Sequence, residues 1–377
     1  MIPRPGSNRA FIPQADPALQ YRRHKEAIDL AIARVLTGGH YILGPEVEAF
    51  EQEFAAFCGA KYAVGVASGT DAIRLALLGM GIGAGDEVIV PAHTAVATVA
   101  AVERAGAVPV LVDIEADTYT LSAGAVADAI TPRTRAILAV HLYGHPADMA
   151  RLLSVAERHG LPIVEDCAQA HGASWKQRPV GSIGVAGCFS FYPTKNLGAL
   201  GDGGAVVTND ARLAERIRLL RQYGWAERNV STIPGDNSRL DELQAAVLRV
   251  KLAHLDADTE LRRDLAGMFT RTLRGQVGTP AERPDCRHVY HLYVIATAAR
   301  RDFQHRLKQL GVGTGVHYPH PVHLQPAYEG RLGRRGQFPT AERACESVVS
   351  LPLYPGLQLE EVERVLGAVR ATGVSGA

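Results

Sequence analysis

The chain has 377 residues, 47% of them hydrophobic and 21% charged, with a formal net charge of +1. That length exceeds what one hydrophobic core usually supports, so a large domain and a smaller one are expected. The near-neutral balance excludes a whole-chain bias toward nucleic acid or an anionic membrane surface, and the ordinary composition excludes a fibrous or low-complexity chain.

In chain order, Pro13 to Tyr21 reads as an irregular arm before the first helix, and residues 1–20 are taken as the N-terminal arm of the large domain. Short β-branched runs follow at Tyr62 to Val66, Glu87 to Val90, Val108 to Val112, Ala136 to Val140, Leu161 to Val164, Gly187 to Phe191 and Ala205 to Thr208. Bounded by Gly, Pro or Asp, they read as buried strands. Helical patterns lie between them at Asp71 to Leu78, Ala95 to Ala105, Gly124 to Ala129, Met149 to His159 and Leu213 to Tyr223. The alternation predicts an α/β domain whose seven-stranded, mostly parallel sheet is covered on both faces.

From Arg239 to about Leu273 no proline interrupts the pattern, and Ser238 stands three residues before Asp241 like the start of a capping box. One long helix, or two in line, is expected to leave the sheet domain there. A strand at His291 to Thr297, a helix at Arg301 to Leu310, a Pro/His-rich loop at His317 to Pro326 and a last helix near Leu359 to Ala371 read as a small α+β domain. The expected division is a large domain over 1–250 and a small one over 251–377.

Five scattered cysteines, Cys58, Cys167, Cys188, Cys286 and Cys345, form no C-x-x-C pair, which argues against a disulfide scaffold or a structural zinc site. Met1 to Phe11 holds no apolar stretch like a signal peptide, and the Ala/Val-rich run after Pro91 is broken by Glu103 and Arg104. A cytoplasmic enzyme without a membrane anchor is expected.

Three segments carry chemistry in combination. Ser68-Gly69-Thr70-Asp71 joins a strand to a helix, where free backbone N–H groups and hydroxyls can hold a phosphate, although such residues also cap helices without any ligand. Val164-Glu165-Asp166 puts acids at a strand's carboxyl end, the side on which open α/β sheets bind ligands; for either acid alone a solvated strand end is the plainer reading. The strand from Gly187 runs into a loop bearing Lys195, and a lone loop lysine is usually a surface charge. Together they supply what pyridoxal phosphate (PLP) chemistry requires: a Schiff-base lysine, an acid that keeps the pyridine nitrogen protonated, and an anion site.

With Gly38 to Gly44, Pro45-Glu46-Val47, Ala67 to Ala72, Pro91-Ala92-His93-Thr94, Val164 to Gly172, Phe189 to Asn196 and Gly235 to Ala246 in order, the chain resembles the PLP-dependent nucleotide-sugar aminotransferases of the DegT/DnrJ/StrS type over about Ile12 to Tyr354. The resemblance implies fold type I and a homodimer with shared active sites. It further implies that Lys195 is the Schiff-base lysine, Asp166 the pyridinium partner, Gln169 a neighbour of the cofactor's phenolic oxygen, and His93 the residue stacked on the ring. Gly69, Thr70 and Ser190 would hold the phosphate with Asn237 of the other subunit, though Asn237 could equally be a helix cap.

His317-Tyr318-Pro319-His320-Pro321-Val322-His323 suggests a metal site, but two prolines prevent a helix from aligning the histidines, so no metal is expected. The resemblance brings this loop to the sugar-nucleotide site, with Tyr318 and His323 as contacts. Arg239 either pairs with Asp241 or Glu242 or reaches the substrate's diphosphate. The segments Asn237 to Gln244 and Val316 to Tyr328 are most similar to members that aminate carbon 3 of a TDP-3-keto-6-deoxyhexose. By the same resemblance L-glutamate is the donor and the cofactor cycles through pyridoxamine phosphate. A 4-keto-sugar or cyclitol aminotransferase, a dehydratase and a PLP-binding regulator are the alternatives; Lys195 argues against the dehydratase, whose relatives carry histidine there.

Overall fold

The computed structural model describes residues 11–373. Seven strands, β1 (Tyr62–Val66), β2 (Glu87–Pro91), β3 (Val108–Val112), β4 (Thr134–Val140), β5 (Ile163–Asp166), β6 (Ala186–Ser190) and β7 (Gly204–Thr208), form one sheet in the order β1-β7-β6-β5-β4-β2-β3. Only β7 runs antiparallel to its neighbours β1 and β6; the remaining pairs are parallel.

Successive strand residues point to opposite faces, so each strand feeds two cores. Val64, Val88, Val90, Leu138, Val164 and Val206 face one side with Ile73, Val99 and Ile217 from the helices Gly69–Gly79, Val96–Arg104 and Ala211–Leu220. Ala63, Ile89, Ile137, Ile163, Phe189 and Val207 face the other, under Phe50, Phe54, Leu152 and Leu248 from the helices Pro45–Phe57, Met149–His159 and Glu242–Leu252. The layering is the α/β architecture expected from the strand–helix alternation.

β5 begins two residues later than the apolar run suggests, because Leu161 still closes the preceding helix end by donating to Ala156 O across the left-handed Gly160, and Pro162 has no N–H to give. The strand therefore ends on Asp166 itself, and its other acid is not at a solvated end. Glu165 is fully buried, accepts from the backbone N–H of Gly181, Ile183 and Gly184 at 2.7–2.9 Å, and meets His141 Nε2 at 2.9 Å. His141 Nδ1 accepts from Ala147 N, so its one proton sits on Nε2 and donates to Glu165. Glu165→Ala strands these donors inside the protein and is expected to cost about 3–5 kcal/mol, read as a lower urea midpoint; a change of a few tenths would contradict this role.

Ser238 does not cap the following helix: its hydroxyl donates to Asp71 Oδ2 and accepts from Ala67 N, while Asp241 holds the N-cap position. The expected long helix is two, Glu242–Leu252 and Leu255–Leu273. Glu242 turns its carboxylate onto Gly44, Glu46 and Val47 N–H, filling the N-terminus of the helix Pro45–Phe57 with a negative charge of the protein's own.

A third core gathers Phe269, Tyr293, Ile295, Phe303, Val349, Leu351 and Val365 around the antiparallel pair β8 (Tyr293–Ala296) and β9 (Val348–Leu351). Ile12 belongs to this core and brackets it with two backbone bonds, its N to Gly311 O and its O from Gly313 N. The arm read as irregular is thus anchored, and it contains the helix Pro17–Arg23, capped by Asp16 and opened by proline at its first turn. Among the described residues no helix is long and apolar enough to cross a membrane.

Candidate active site

The site stands at the carboxyl ends of four strands that are consecutive in the sheet, β6, β5, β4 and β2. β6 leads to Lys195, β5 ends on Asp166, β4 leads to Tyr143, and β2 leads to His93 and Thr94. Parallel register brings these far-apart sequence positions together: Asp166 lies opposite both Val140 of β4 and Cys188 of β6.

Lys195 follows the tight turn Tyr192 to Lys195, closed by Lys195 N donating to Tyr192 O. Burial pushes its ammonium down from the ordinary 10.5 to about 8, and the nearby Asp166 charge opposes part of that shift. Its imidazole neighbours are kept neutral by burial: His171 near 3, against the Phe189 and Phe191 rings, and His317 near 4, with His291 well below its usual range.

Asp166 is buried, with one carboxylate oxygen accepting from Thr98 Oγ1 at 2.8 Å and the other from Ala168 N at 3.1 Å. Behind Thr98 stands Thr94, hydroxyl to hydroxyl at 2.9 Å.

His93 is fully buried with both ring nitrogens engaged, Nε2 with Tyr143 Oη at 2.7 Å and Nδ1 with Cys345 Sγ at 3.1 Å. The tautomer follows from the ends of this chain. Tyr143 donates its proton to the carbonyl of His317, so His93 Nε2–H donates to Tyr143 and Nδ1 accepts from the Cys345 thiol. Burial holds the imidazole near pKa 4, leaving it a neutral ring fixed along its edge.

Tyr143 also donates its backbone N–H to Gln169 Oε1 at 2.7 Å, which leaves Gln169 Nε2 pointing as a donor, here to Tyr318 Oη at 3.0 Å. Gln169 and Tyr318, 149 positions apart, are therefore in one polar network beside Asp166, whose charge raises the Tyr318 phenol further above its ordinary range after burial.

The helix Gly69–Gly79 opens in the same region, capped by Ser68 Oγ on Asp71 N, with Gly69 pressed against Ser190. A Cβ on Gly69 would lie 2.6 Å from Ser190 Cβ, closer than any carbon contact tolerates. Gly69→Ala is expected to force the two segments apart and weaken phosphate-group binding at least tenfold, measured as the PLP dissociation constant of the apo-protein; unchanged affinity would remove this position from the anion site.

Three further residues named from the sequence lie outside this network. His323 is fully buried, stacked edgewise on Phe338 and bonded to Glu342 Oε1 at 3.1 Å, so it supports the loop instead of facing a substrate in this conformation. Arg239 lies over the Tyr223 ring at 5.9 Å and pairs with neither Asp241 nor Glu242. Asn237 is exposed on the surface and caps no helix. Tyr143, Thr98, His171, His291 and Cys345 were not singled out in the sequence, because each carries meaning only through a partner distant in the chain.

A cavity of about 270 Å³ opens beside the lysine loop, lined in part by Thr194, His291, His317, Arg262 and Gln20. The residues present fit PLP. A helix N-terminus with a glycine pressed on Ser190 suits a phosphate, a buried carboxylate held by two donors suits a protonated ring nitrogen, and a desolvated amine suits a carbonyl carbon.

The profile of the DegT/DnrJ/EryC1/StrS aminotransferase family matches residues 22–370. The dTDP-3-amino-3,4,6-trideoxy-alpha-D-glucose transaminase of Streptomyces venezuelae is 51% identical over 361 residues, 95% of each chain. Among solved structures, S. venezuelae DesV in complex with a ketimine intermediate superposes with a TM-score of 0.95 at 51% identity, covering 96% of this chain and 98% of that one. NtdA from Bacillus subtilis with bound cofactor PMP gives 0.91 at 32% identity, covering 98% and 87%.

The chain belongs to the DegT/DnrJ/EryC1/StrS family and is a PLP-dependent aminotransferase of fold type I.

Proposed function

With that family as the premise, we propose that the enzyme moves an amino group from L-glutamate to the C3 ketone of a TDP-3-keto-6-deoxyhexose, in the biosynthesis of amino-deoxysugars. The observation that carries the reading is the convergence of Lys195, Asp166, Tyr143 and His93 on four adjacent strand ends, in a chain 51% identical to a transaminase of a TDP-linked 3-amino sugar.

When bound, the cofactor supplies an electron-withdrawing ring and a carbon that carries nitrogen between donor and acceptor. Lys195 Nζ, poised near neutrality, takes the proton from the donor's Cα and returns one to C3 of the sugar. Asp166, held by Thr98 and Ala168 N, would face the ring nitrogen and favour its protonated form. His93 presents a neutral face to the ring, its edge held by Tyr143 and Cys345. Gln169 Nε2 is the donor for the phenolic oxygen, since its Oε1 is committed to Tyr143 N–H.

Gly69 and Thr70 N–H, Ser190 and an Asn237 from a second copy of the chain hold the phosphate. The homodimer reading is supported by the exposed apolar side chains Leu36, Tyr41 and Ile42, and by Tyr192 and Leu200 flanking the lysine loop, all of which would gain by burial against another surface. Tyr318 contacts the sugar and Arg239 the diphosphate; His323 serves through the loop it supports. The enzyme acts in the cytoplasm. The large domain runs to about residue 250 and the small one follows it, with Ile12 of the arm seated in the small domain's core.

The position of amination is tested by incubating the enzyme with glutamate and, separately, TDP-linked 3-keto and 4-keto 6-deoxyhexoses, and locating the new nitrogen by NMR. Nitrogen at C3, with kcat/KM for the 3-keto sugar at least a hundredfold higher, is the expected result; preferential amination at C4 would overturn it.

A further inference from the structure

Asp166 does not stand alone. Its Oδ2 is met by Thr98 Oγ1 at 2.8 Å, and Thr98 Oγ1 is met by Thr94 Oγ1 at 2.9 Å. Both threonines are almost wholly buried, Thr98 at 1% and Thr94 at 2% exposure, so water does not compete for these hydroxyls. A hydroxyl carries one proton, and an ionised carboxylate only accepts. Thr98 must therefore donate to Asp166, and Thr94 must in turn donate to Thr98. The chain has one direction, from Thr94 through Thr98 to the acid.

Local structure fixes that direction. Thr94 leaves the end of β2 directly after His93, and Thr98 lies in the first turn of the helix Val96–Arg104, where its backbone N–H bonds to Ala95 O. One short segment thus serves both sides of the site, with His93 toward Tyr143 and the two hydroxyls toward Asp166.

We infer that Thr98, backed by Thr94, is a positioning residue for the aminotransferase reaction: its hydroxyl fixes the rotation of the Asp166 carboxylate. With Ala168 N on the other oxygen, each carboxylate oxygen accepts one hydrogen bond, and the pair holds the group in one orientation. The groups that face Asp166 otherwise do not replace Thr98. The Lys195 charge is coupled to it, and Tyr318, Cys167 and Cys188 are neutral groups whose proton loss the acid opposes. Removing the Thr98 hydroxyl leaves the carboxylate tethered at one oxygen and Thr94 without its acceptor.

The inference rests on Asp166 as partner of the cofactor's ring nitrogen, and a double-mutant cycle separates the two. Thr98→Val, Thr98→Ser, Asp166→Asn and Thr98→Val/Asp166→Asn are purified, and for each the PLP dissociation constant of the apo-protein, kcat at saturating cofactor and the melting temperature are measured. Thr98→Val is expected to weaken PLP binding and lower kcat by roughly ten- to a hundredfold, the range for loss of a hydrogen bond to a charged group, with KM for glutamate little changed. Thr98→Ser restores both, and Thr98→Val adds almost nothing once Asp166 is Asn.

Wild-type PLP affinity and kcat in Thr98→Val, while Asp166→Asn is impaired, would overturn the role of Thr98 and leave that of Asp166 standing. Wild-type behaviour of Asp166→Asn would instead remove the premise. A lowered melting temperature with unchanged affinity and kcat, or equal losses in Thr98→Ser and Thr98→Val, would reduce Thr98 to a packing residue and also overturn the inference.

Discussion

Lys195→Ala is expected to bind PLP without the visible absorbance of a lysine-bound cofactor and to lose transamination by roughly ten-thousandfold or more, since the proton-moving group and the covalent anchor vanish together. The surroundings also set the state in which the lysine is held. With its pKa pushed to about 8, about a quarter of Lys195 is neutral at pH 7.5, against roughly one part in a thousand for a lysine at the ordinary 10.5. A lowered pKa puts the reactive neutral amine above pH 8 and the inert ammonium below it. Capture of PLP by the apo-enzyme is therefore expected to quicken with rising pH and to reach half its plateau near pH 8, followed by stopped-flow absorbance. His171, His291 and His317 face the same amine, but burial keeps them neutral through this range, so they add no second inflection above pH 6. Turnover by Lys195→Ala within tenfold of the parent would remove Lys195 from the chemistry.

Asp166→Asn is expected to fold normally and lose roughly a hundred- to a thousandfold in kcat, the cost typical of removing one preorganised charge or dipole from the place where charge develops. The isosteric amide keeps an oxygen for Thr98 or for Ala168 N but no longer carries the charge that holds a proton on the ring nitrogen. An equal melting temperature with impaired turnover at saturating PLP is the result that assigns the loss to chemistry. Turnover within threefold of the parent would show that the ring nitrogen does not depend on this acid.

The two variants test residues that were legible early for a common reason. A lysine after one strand and an acid ending another are each commonplace, but together with an anion site they meet the needs of one cofactor, and the sheet's parallel order predicts that strand ends converge. The alternation of apolar runs with helical stretches likewise announced the layers of the fold. What stayed hidden was settled by partners. Glu165 and Asp166 are neighbours in sequence, yet the strand's pleat sends Glu165 into a cradle of backbone N–H groups and Asp166 to the site. Periodicity alone cannot say which acid does which. His93, Tyr143 and Cys345 come from three distant segments, and only the fold shows that they share one directional chain of protons. For His323 the resemblance named a substrate contact, and the fold adds what the sequence could not show, the bond to Glu342 and the edgewise packing on Phe338.

The placement of Ile12 carries the same lesson for the architecture. A segment without a periodic pattern looks detached, yet two backbone bonds and a fully buried side chain fasten it to the C-terminal core. The adjoining Gln14, Ala15 and Asp16 then line the cavity beside the lysine loop, which brings the first described residues of the chain within reach of the chemistry.

The central claim is tested most directly by the absorbance spectrum of the PLP-loaded enzyme, first with L-glutamate and then with a TDP-3-keto-6-deoxyhexose generated in place. The account predicts that glutamate discharges the visible band and that the 3-keto sugar restores it, because the two half-reactions use the same lysine and the same acid. A band that glutamate discharges and a 4-keto sugar restores, but the 3-keto sugar does not, would contradict it.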